Sequence, residues 1–166
     1  MVAAIVLAGV TIGLLAARHP PAPAPQGGPR AATASELREL AADSTRPLYW
    51  AGDSAAGRLE LTRARGGAVY LRYLSSGTRI GDRRPAFTTV ATYPMRSAYA
   101  VSRRSSRRPG LRSASVPGGG LAVWRARPKT SVYLAYPGDA VLVEVFSPVA
   151  GEALRLARSG GVGPVR

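Results

Sequence analysis

The chain has 166 residues, enough for one domain with short accessory segments, and 46% of them are hydrophobic, enough for a core. Its net charge of +14 comes almost entirely from arginine and would draw the protein towards phospholipid, anionic envelope polymer or nucleic acid. Because the sequence has no cysteine, disulfides, thiolate metal sites, cysteine nucleophiles and lipoprotein acylation are excluded.

The chain opens with an apolar run, Met1 to Ala17, that contains no charged side chain. At about 1.5 Å per residue this run is just long enough to span a bilayer core, which takes about 17–25 residues. We therefore predict a transmembrane anchor. A cleaved signal peptide is the alternative, although Pro25 is expected to obstruct cleavage after residues 22–24. A buried helix is disfavoured because the run has no polar face.

The orientation of this anchor depends on two opposing arguments. No basic residue precedes the apolar run and Arg18 follows it, so the positive-inside rule would place the domain in the cytoplasm. However, long domains translocate largely regardless of charge. An apolar run that begins at Met1 also indicates a start codon assigned too late. We expect a single-pass protein of the cell membrane with an extracytoplasmic domain.

A linker and a first helix follow the anchor. Residues 18–34 are rich in Pro, Ala and Gly and predict an extended spacer, in which the single histidine, His19, is incidental. Thr33 and Glu36 then fit a capping box at the start of a helix from Thr33 to Asp43. Leu37 lies on the apolar stripe of this helix and is expected to pack on a sheet.

Short strands separated by glycine and proline follow this helix. Leu59 and Leu61 are predicted to face inward and Glu60 outward, because side chains alternate along a strand. Residues 75–85 form the longest irregular segment of the domain and are charged. The first four predicted strands are Leu48 to Ala51, Arg58 to Arg63, Val69 to Leu74 and Phe87 to Tyr93.

The second half of the domain begins with a helix predicted from Met95 to Arg107, which Pro109 and Gly110 end. Its apolar positions, including Ala98, are expected to face the sheet. Two hairpins and a last helix follow. They are predicted at Arg112 to Val116 with Leu121 to Ala126, at Thr130 to Pro148 around a turn at 137–140, and at Gly151 to Ser159.

The hairpin at Thr130 to Pro148 is the clearest signal in the chain. Its two apolar runs flank a Gly-Asp pair, and Tyr136 and Val141 are predicted to bracket the turn. Glu144 lies on the face opposite the valines, so we expect that face to be at least partly exposed to solvent. The residues predicted to share the apolar face are Val132, Leu134, Tyr136, Val141, Val143 and Val145.

These elements predict an α+β domain at 35–160, followed by a tail at 161–166. Its mostly antiparallel sheet of hairpins is packed with two or three helices, after an N-terminal hydrophobic helix. The order is helix, four strands, helix, four strands, helix. This order is suggestive of duplication, but the positions that the halves share are too few to define a repeat.

Four segments of the chain resemble a group of membrane-anchored proteins from high-GC Gram-positive bacteria. They are RPLYWAG (Arg46 to Gly52), VYLRYL (Val69 to Leu74), TVATYP (Thr89 to Pro94) and TSVYLAYPG (Thr130 to Gly138). The resemblance covers most of the chain after Ala34. It implies an anchor, a linker and a compact domain, and it assigns no functional residue.

Catalytic and metal-binding patterns are weak in this sequence. The domain has no histidine, and Asp53, Asp82 and Asp139 fall in turns, where aspartate commonly bonds the backbone. Residues 118–120 are three glycines followed by a strand, so they predict a hairpin turn and not a phosphate loop. We predict no catalytic residue, no cofactor and no metal.

An arginine cluster is the one constellation with a physical consequence. Arginines four residues apart on a helix repel by a few tenths of a kcal/mol. No acidic residue lies between Asp82 and Asp139 to offset this. The simplest interpretation is a solvated face, and the functional one is a contact with anionic lipid or envelope polymer. The cluster comprises Arg96, Arg103, Arg104, Arg107, Arg108 and Arg112.

We accordingly predict a non-enzymatic binding or sensing module of the cell envelope, anchored in the membrane. A cytoplasmic nucleic-acid-binding domain is an alternative, disfavoured because the arginines lack interleaved aromatic residues. An envelope enzyme with an unrecognised site is another. Tyr49, Tyr70 and Trp124 are expected in the core, with a shared exposed aromatic surface as the alternative.

Overall fold

The computed structural model describes residues 27–53, 58–127 and 130–166. The predicted anchor, and the part of the predicted linker before residue 27, lie outside these ranges. The helices are α1 (Ala34–Ala42), α2 (Ala98–Ser105) and α3 (Glu152–Arg158). The strands are β1 (Arg30–Ala32), β2 (Tyr49–Trp50), β3 (Arg58–Arg63), β4 (Val69–Leu74), β5 (Thr88–Pro94), β6 (Leu111–Val116), β7 (Gly120–Arg125), β8 (Ser131–Ala135), β9 (Val141–Phe146) and β10 (Gly163–Pro164).

Eight of these strands form one antiparallel sheet in the order β1-β3-β4-β5-β9-β8-β7-β6. Two meanders, β3-β4-β5 and β6-β7-β8-β9, meet where β5 pairs with β9. The remaining two strands, β2 and β10, pair with each other in a separate ribbon. The α+β fold with a mostly antiparallel sheet is confirmed, and so is the predicted order of helices and strands from α1 to α3.

One side of the sheet, which we call the core face, carries the main hydrophobic core. Val90, Val132 and Val143 belong to this face, and α1, α3 and the β2–β10 ribbon cover it. Leu37 of α1 is fully buried there. The capping box that begins α1 is confirmed: Thr33 Oγ1 accepts the Glu36 N–H at 3.2 Å, and the Glu36 carboxylate accepts the Thr33 N–H at 2.7 Å.

The hairpin predicted at Thr130 to Pro148 is confirmed. Val132 pairs with Val145 and Leu134 with Val143, so the valines and Leu134 lie on the core face as predicted. The Asp139 N–H donates to the Tyr136 carbonyl at 3.3 Å across the turn. Gly138 has φ +85°, a conformation that favours glycine because it has no Cβ.

The opposite side, which we call the α2 face, is covered by α2 at one end and by residues 75–87 at the other. Ala98 of α2 packs with Tyr133 and Leu142. Glu60 lies on this face, but the prediction that it faces solvent is wrong, since it is only 1% exposed. The loop folds over it, and the Gly81 N–H donates to Glu60 Oε2 at 2.5 Å.

The fold extends beyond the predicted limits of 35–160 at both ends. β1 lies inside the predicted linker and pairs with β3, and β10 lies inside the predicted tail and pairs with β2. Strands of two or three residues carry no measurable periodicity, so pattern analysis does not detect them. The second helix is also shorter than predicted. Met95 precedes it in a turn, where its N–H donates to the Ala140 carbonyl at 2.8 Å.

Candidate functional site

The arginines of α2 project into solvent because the other side of the helix is packed on the sheet. Ala98, Ser102 and Ser105 are buried, whereas Arg103 and Arg104 are exposed. The sequence predicted that the arginines would face water and the small residues the sheet, because these residue types fall on opposite sides of a helix with 3.6 residues per turn. Three further cluster members flank the helix and are also exposed: Arg96, Arg107 and Arg108.

Arg112 does not join the other five arginines. It lies on β6 and pairs with Trp124, whose side chain packs against the core-face cluster. Cross-strand partners share a face, so Arg112 belongs to the side of the sheet opposite α2. The structure therefore separates Arg112 from the other five members, and contact of these arginines with an anionic surface stays a prediction. We call the remaining five residues, Arg96, Arg103, Arg104, Arg107 and Arg108, the arginine surface.

The arginine surface has little compensating negative charge. Among the residues described, Arg96, Arg103, Arg104 and Arg107 form no ion pair. The ion pairs lie elsewhere, between Arg30 and Glu36, Arg72 and Glu60, Arg84 and Asp82, and Arg155 and Glu152. A cluster of like charges without counter-charges raises the local potential and attracts anions.

A second polar feature, centred on Glu144, lies on the α2 face. The Tyr93 and Tyr133 hydroxyls donate to its two carboxylate oxygens at 2.9 and 3.0 Å. Tyr70 and Ala91 complete the row across β4, β5, β9 and β8, and the Tyr70 ring meets the Tyr93 ring edge-on at 5.7 Å. Sequence reasoning missed this cluster because it depends on the pairing of β5 with β9, which no local pattern encodes.

The tyrosines around Glu144 are held in their neutral form. Burial raises the pKa of Tyr93 and Tyr133, and the adjacent Glu144 carboxylate raises both further. A neutral phenol can donate its proton in a hydrogen bond, whereas a phenolate cannot. Since both carboxylate oxygens already accept such bonds, the geometry favours a structural role for Glu144 over acid–base chemistry.

We expect the free energy of unfolding to fall as the pH rises above about 10, the ordinary tyrosine pKa. Burial raises the pKa of Tyr73 to about 12. A raised pKa in the folded state means that the contribution of Tyr73 is complete below pH 10 and is lost as the pH rises to about 12. The loss for one such group is at most about 1.4 kcal/mol per pH unit. Denaturant unfolding over this alkaline range measures it.

The Tyr73→Phe variant is the control for this alkaline prediction. Its absolute stability will differ, because the Tyr73 hydroxyl oxygen accepts the Ala51 N–H at 2.6 Å. The informative quantity is the slope of unfolding free energy against pH, which should be shallower in the variant by the contribution of one proton. Identical slopes in the two proteins would contradict the prediction.

The exposed aromatic surface considered as an alternative is absent from the described residues. Tyr49 is 3% exposed and stacks on Tyr136 with ring centroids 5.3 Å apart. Trp124 packs against the core-face cluster, whereas Tyr70 lies on the α2 face. The three rings are thus distributed over two sides of the sheet, and core packing is confirmed for Tyr49 and Trp124.

Asp82 and Asp139, two of the turn carboxylates, each have a different partner. Asp82 bonds the Arg84 side chain, which holds the pKa of that carboxyl at about 2. Asp139 accepts the Tyr49 hydroxyl at 2.5 Å and ties the hairpin turn to β2. Within the described ranges, no group of three or more acidic or histidine side chains could hold a metal ion.

Comparisons with known proteins identified no relative of this chain. No protein-family model, curated protein or solved structure matches the chain. In the portion of the chain that the structure describes, no helix has the length and apolarity needed to cross a bilayer. The resemblance to membrane-anchored proteins of high-GC Gram-positive bacteria stays a prediction.

Proposed function

We propose that this protein is a membrane-anchored, extracytoplasmic and non-enzymatic binding or sensing module of the cell envelope. Its contact with its target is the arginine surface, and the target is a layer of anionic lipid headgroups. The observation that supports this proposal is the placement of Arg103, Arg104 and Arg107. Arg103 and Arg104 extend from the outer side of α2 and Arg107 follows its C-terminus, all three exposed and without an acidic partner among the described residues.

The physical chemistry of arginine favours a phosphate-bearing surface. A guanidinium forms paired hydrogen bonds with phosphate oxygens, and its charge is retained at all physiological pH values. Each basic residue near an anionic membrane contributes about 1 kcal/mol to binding. Phosphate groups would also supply negative charge to Arg103, Arg104 and Arg107, which form no ion pair among the described residues.

The expected membrane anchor would keep this surface within reach of the headgroups. Residues 18–29 separate the apolar run from β1. At about 3.1 Å per residue, twelve residues of extended Pro- and Ala-rich chain reach at most about 40 Å. A tethered domain samples a high local concentration of lipid, so a weak electrostatic contact is sufficient for docking.

We expect Arg103→Gln, Arg104→Gln and Arg107→Gln together to abolish most binding to anionic vesicles. Full-length protein is first placed in neutral phosphatidylcholine nanodiscs, so that its apolar segment is already inserted. Flotation then measures binding to vesicles of increasing phosphatidylglycerol content at low salt. Three arginines at about 1 kcal/mol each correspond to a loss of roughly a hundredfold in affinity.

A matched variant separates the arginine surface from net charge. Arg46, Arg63 and Arg158 are exposed arginines outside α2 and the segments that flank it, and replacing them by glutamine removes the same charge. This control should retain most of the binding. An equal loss in both variants, or wild-type protein that ignores anionic vesicles, would contradict the proposal. An alkaline phosphatase fusion at the C-terminus tests the location separately and should be active.

A further inference from the structure

β6 ends the eight-stranded sheet and pairs only with β7. All six of its residues are in continuous register with β7, from Leu111 opposite Arg125 to Val116 opposite Gly120. Its other edge has no neighbouring strand among the described residues. β6 therefore carries a row of main-chain groups that can pair with a further strand.

The direction of these groups follows from one hydrogen bond. The Ala126 N–H donates to the Gly110 carbonyl at 3.2 Å, just beyond the first β6–β7 pair. Bonded pairs alternate in an antiparallel ladder, so Arg112, Ala114 and Val116 bond to β7. Ser113 and Ser115 direct their N–H and carbonyl groups outward. Both residues are exposed. Their outward N–H and carbonyl groups form no hydrogen bond with any of the described residues.

Most of the devices that protect sheet edges are missing from β6. The strand contains no proline and no bulge, and it is not a short edge. Arg112 is its only charged residue. A basic residue on an edge opposes pairing with another basic strand, including a second copy of this chain, whose net charge is +14. It does not oppose pairing with an acidic strand.

The surroundings of β6 are positive on both sides of the sheet. Arg112 lies on the core face, and Arg125 lies on the α2 face near Tyr133. Arg107 is exposed in the segment that leads from α2 into β6. No aspartate or glutamate occurs between Asp82 and Asp139. A strand added at this edge would place side chains of its core face beside Arg112, and Arg125, one strand further in, adds positive potential on the other face.

We propose that β6 binds an extended acidic segment of a partner protein as an additional strand of the sheet. The main-chain groups of Ser113 and Ser115 supply the pairing. Arg112 selects an acidic side chain on the core face, and the positive potential of Arg125 favours acidic side chains on the other face. This interaction is independent of the arginine surface on α2, because the pairing groups are backbone atoms of a different element.

The test uses full-length protein in a neutral detergent and a fluorescent peptide of alternating Glu and Val. Proline at positions 113 and 115 removes the two outward donors without touching the bonds to β7. Because two main-chain hydrogen bonds to the peptide are lost, Ser113→Pro with Ser115→Pro should weaken peptide binding about tenfold or more. The matched control, Ser113→Ala with Ser115→Ala, retains both donors and should bind like the wild type.

Four further measurements complete the test. In wild-type protein, the amides of Ser113 and Ser115 should become protected from hydrogen exchange when the peptide is added, even if the proline variant does not fold. Arg112→Gln with Arg125→Gln should weaken binding, and a peptide of alternating Lys and Val should not bind. The proline variant should dock on anionic vesicles like the wild type, because its charge is unchanged.

Other results would overturn the proposal. Equal peptide binding by the wild type and a folded proline variant, or binding without protection of the Ser113 and Ser115 amides, would reduce β6 to part of a basic surface. A wild-type dimer in sedimentation that the proline variant converts to a monomer would assign this edge to a second copy of the chain.

Discussion

Replacing Arg72 by glutamine is expected to lower the free energy of unfolding by about 3–5 kcal/mol. Arg72 Nη1 lies 2.7 Å from Glu60 Oε1, and Glu60 is 1% exposed. Arg72 also donates to the Arg84 carbonyl at 3.1 Å, and its guanidinium lies 5.0 Å from the centre of the Phe87 ring. One guanidinium therefore neutralises a buried carboxylate and holds the loop of residues 75–87 on the sheet.

The large effect arises from the charge that remains after the substitution. Without Arg72, Glu60 stays buried with the Gly81 N–H as its one hydrogen-bond donor from the described residues. An uncompensated buried carboxylate is costly, whereas removing both charges costs much less. Glutamine at position 60 would still accept the Gly81 N–H. The double variant Glu60→Gln with Arg72→Gln should thus be more stable than Arg72→Gln alone.

Denaturant unfolding of the wild type, both single variants and the double variant measures this coupling as a double-mutant cycle. Arg84→Gln is a suitable comparison, because the Arg84–Asp82 pair is on the surface and such pairs contribute about 0–1 kcal/mol. If Arg72→Gln were no more destabilising than Arg84→Gln, the prediction would be contradicted. Glu60 would then be more accessible to water than its 1% exposure indicates.

Deletion of residues 162–166 is the second change with a large expected effect. Val162 and Val165 are 4% and 7% exposed and belong to the main core. The Val165 N–H donates to the Leu48 carbonyl at 2.7 Å, and the Arg38 side chain donates to the Arg166 carbonyl at 2.9 Å. Burying a valine contributes about 1.5–3 kcal/mol, so the deletion should cost roughly 3–6 kcal/mol.

Arg166→Gln is the control for this deletion, because it keeps the main chain and both valines. Its exposed side chain forms no hydrogen bond or ion pair with the described residues, and its effect should lie within about 0.5 kcal/mol. Thermal and denaturant unfolding compare the two variants with the wild type. A fully stable deletion variant would agree with the predicted tail at 161–166 and would contradict the role of β10 in the core.

Features that depend on neighbouring residues were determined by the sequence alone. Thr33 and Glu36 bond each other across one helical turn, so their spacing was sufficient to place the start of α1. The turn at Gly138 and the alternation of Val132 and Leu134 placed the central hairpin in the same way. The exposure of Arg103 and Arg104 followed from the helical period.

Features that depend on distant residues were decided only by the tertiary structure. The side of the sheet on which Arg112 lies follows from its pairing with Trp124, whereas its position in the sequence suggested a group with Arg107 and Arg108. Glu144 meets Tyr93 because β9 lies beside β5, although 51 residues separate them. Strand order is set by the burial of the whole sheet, and no local pattern of side chains contains that information.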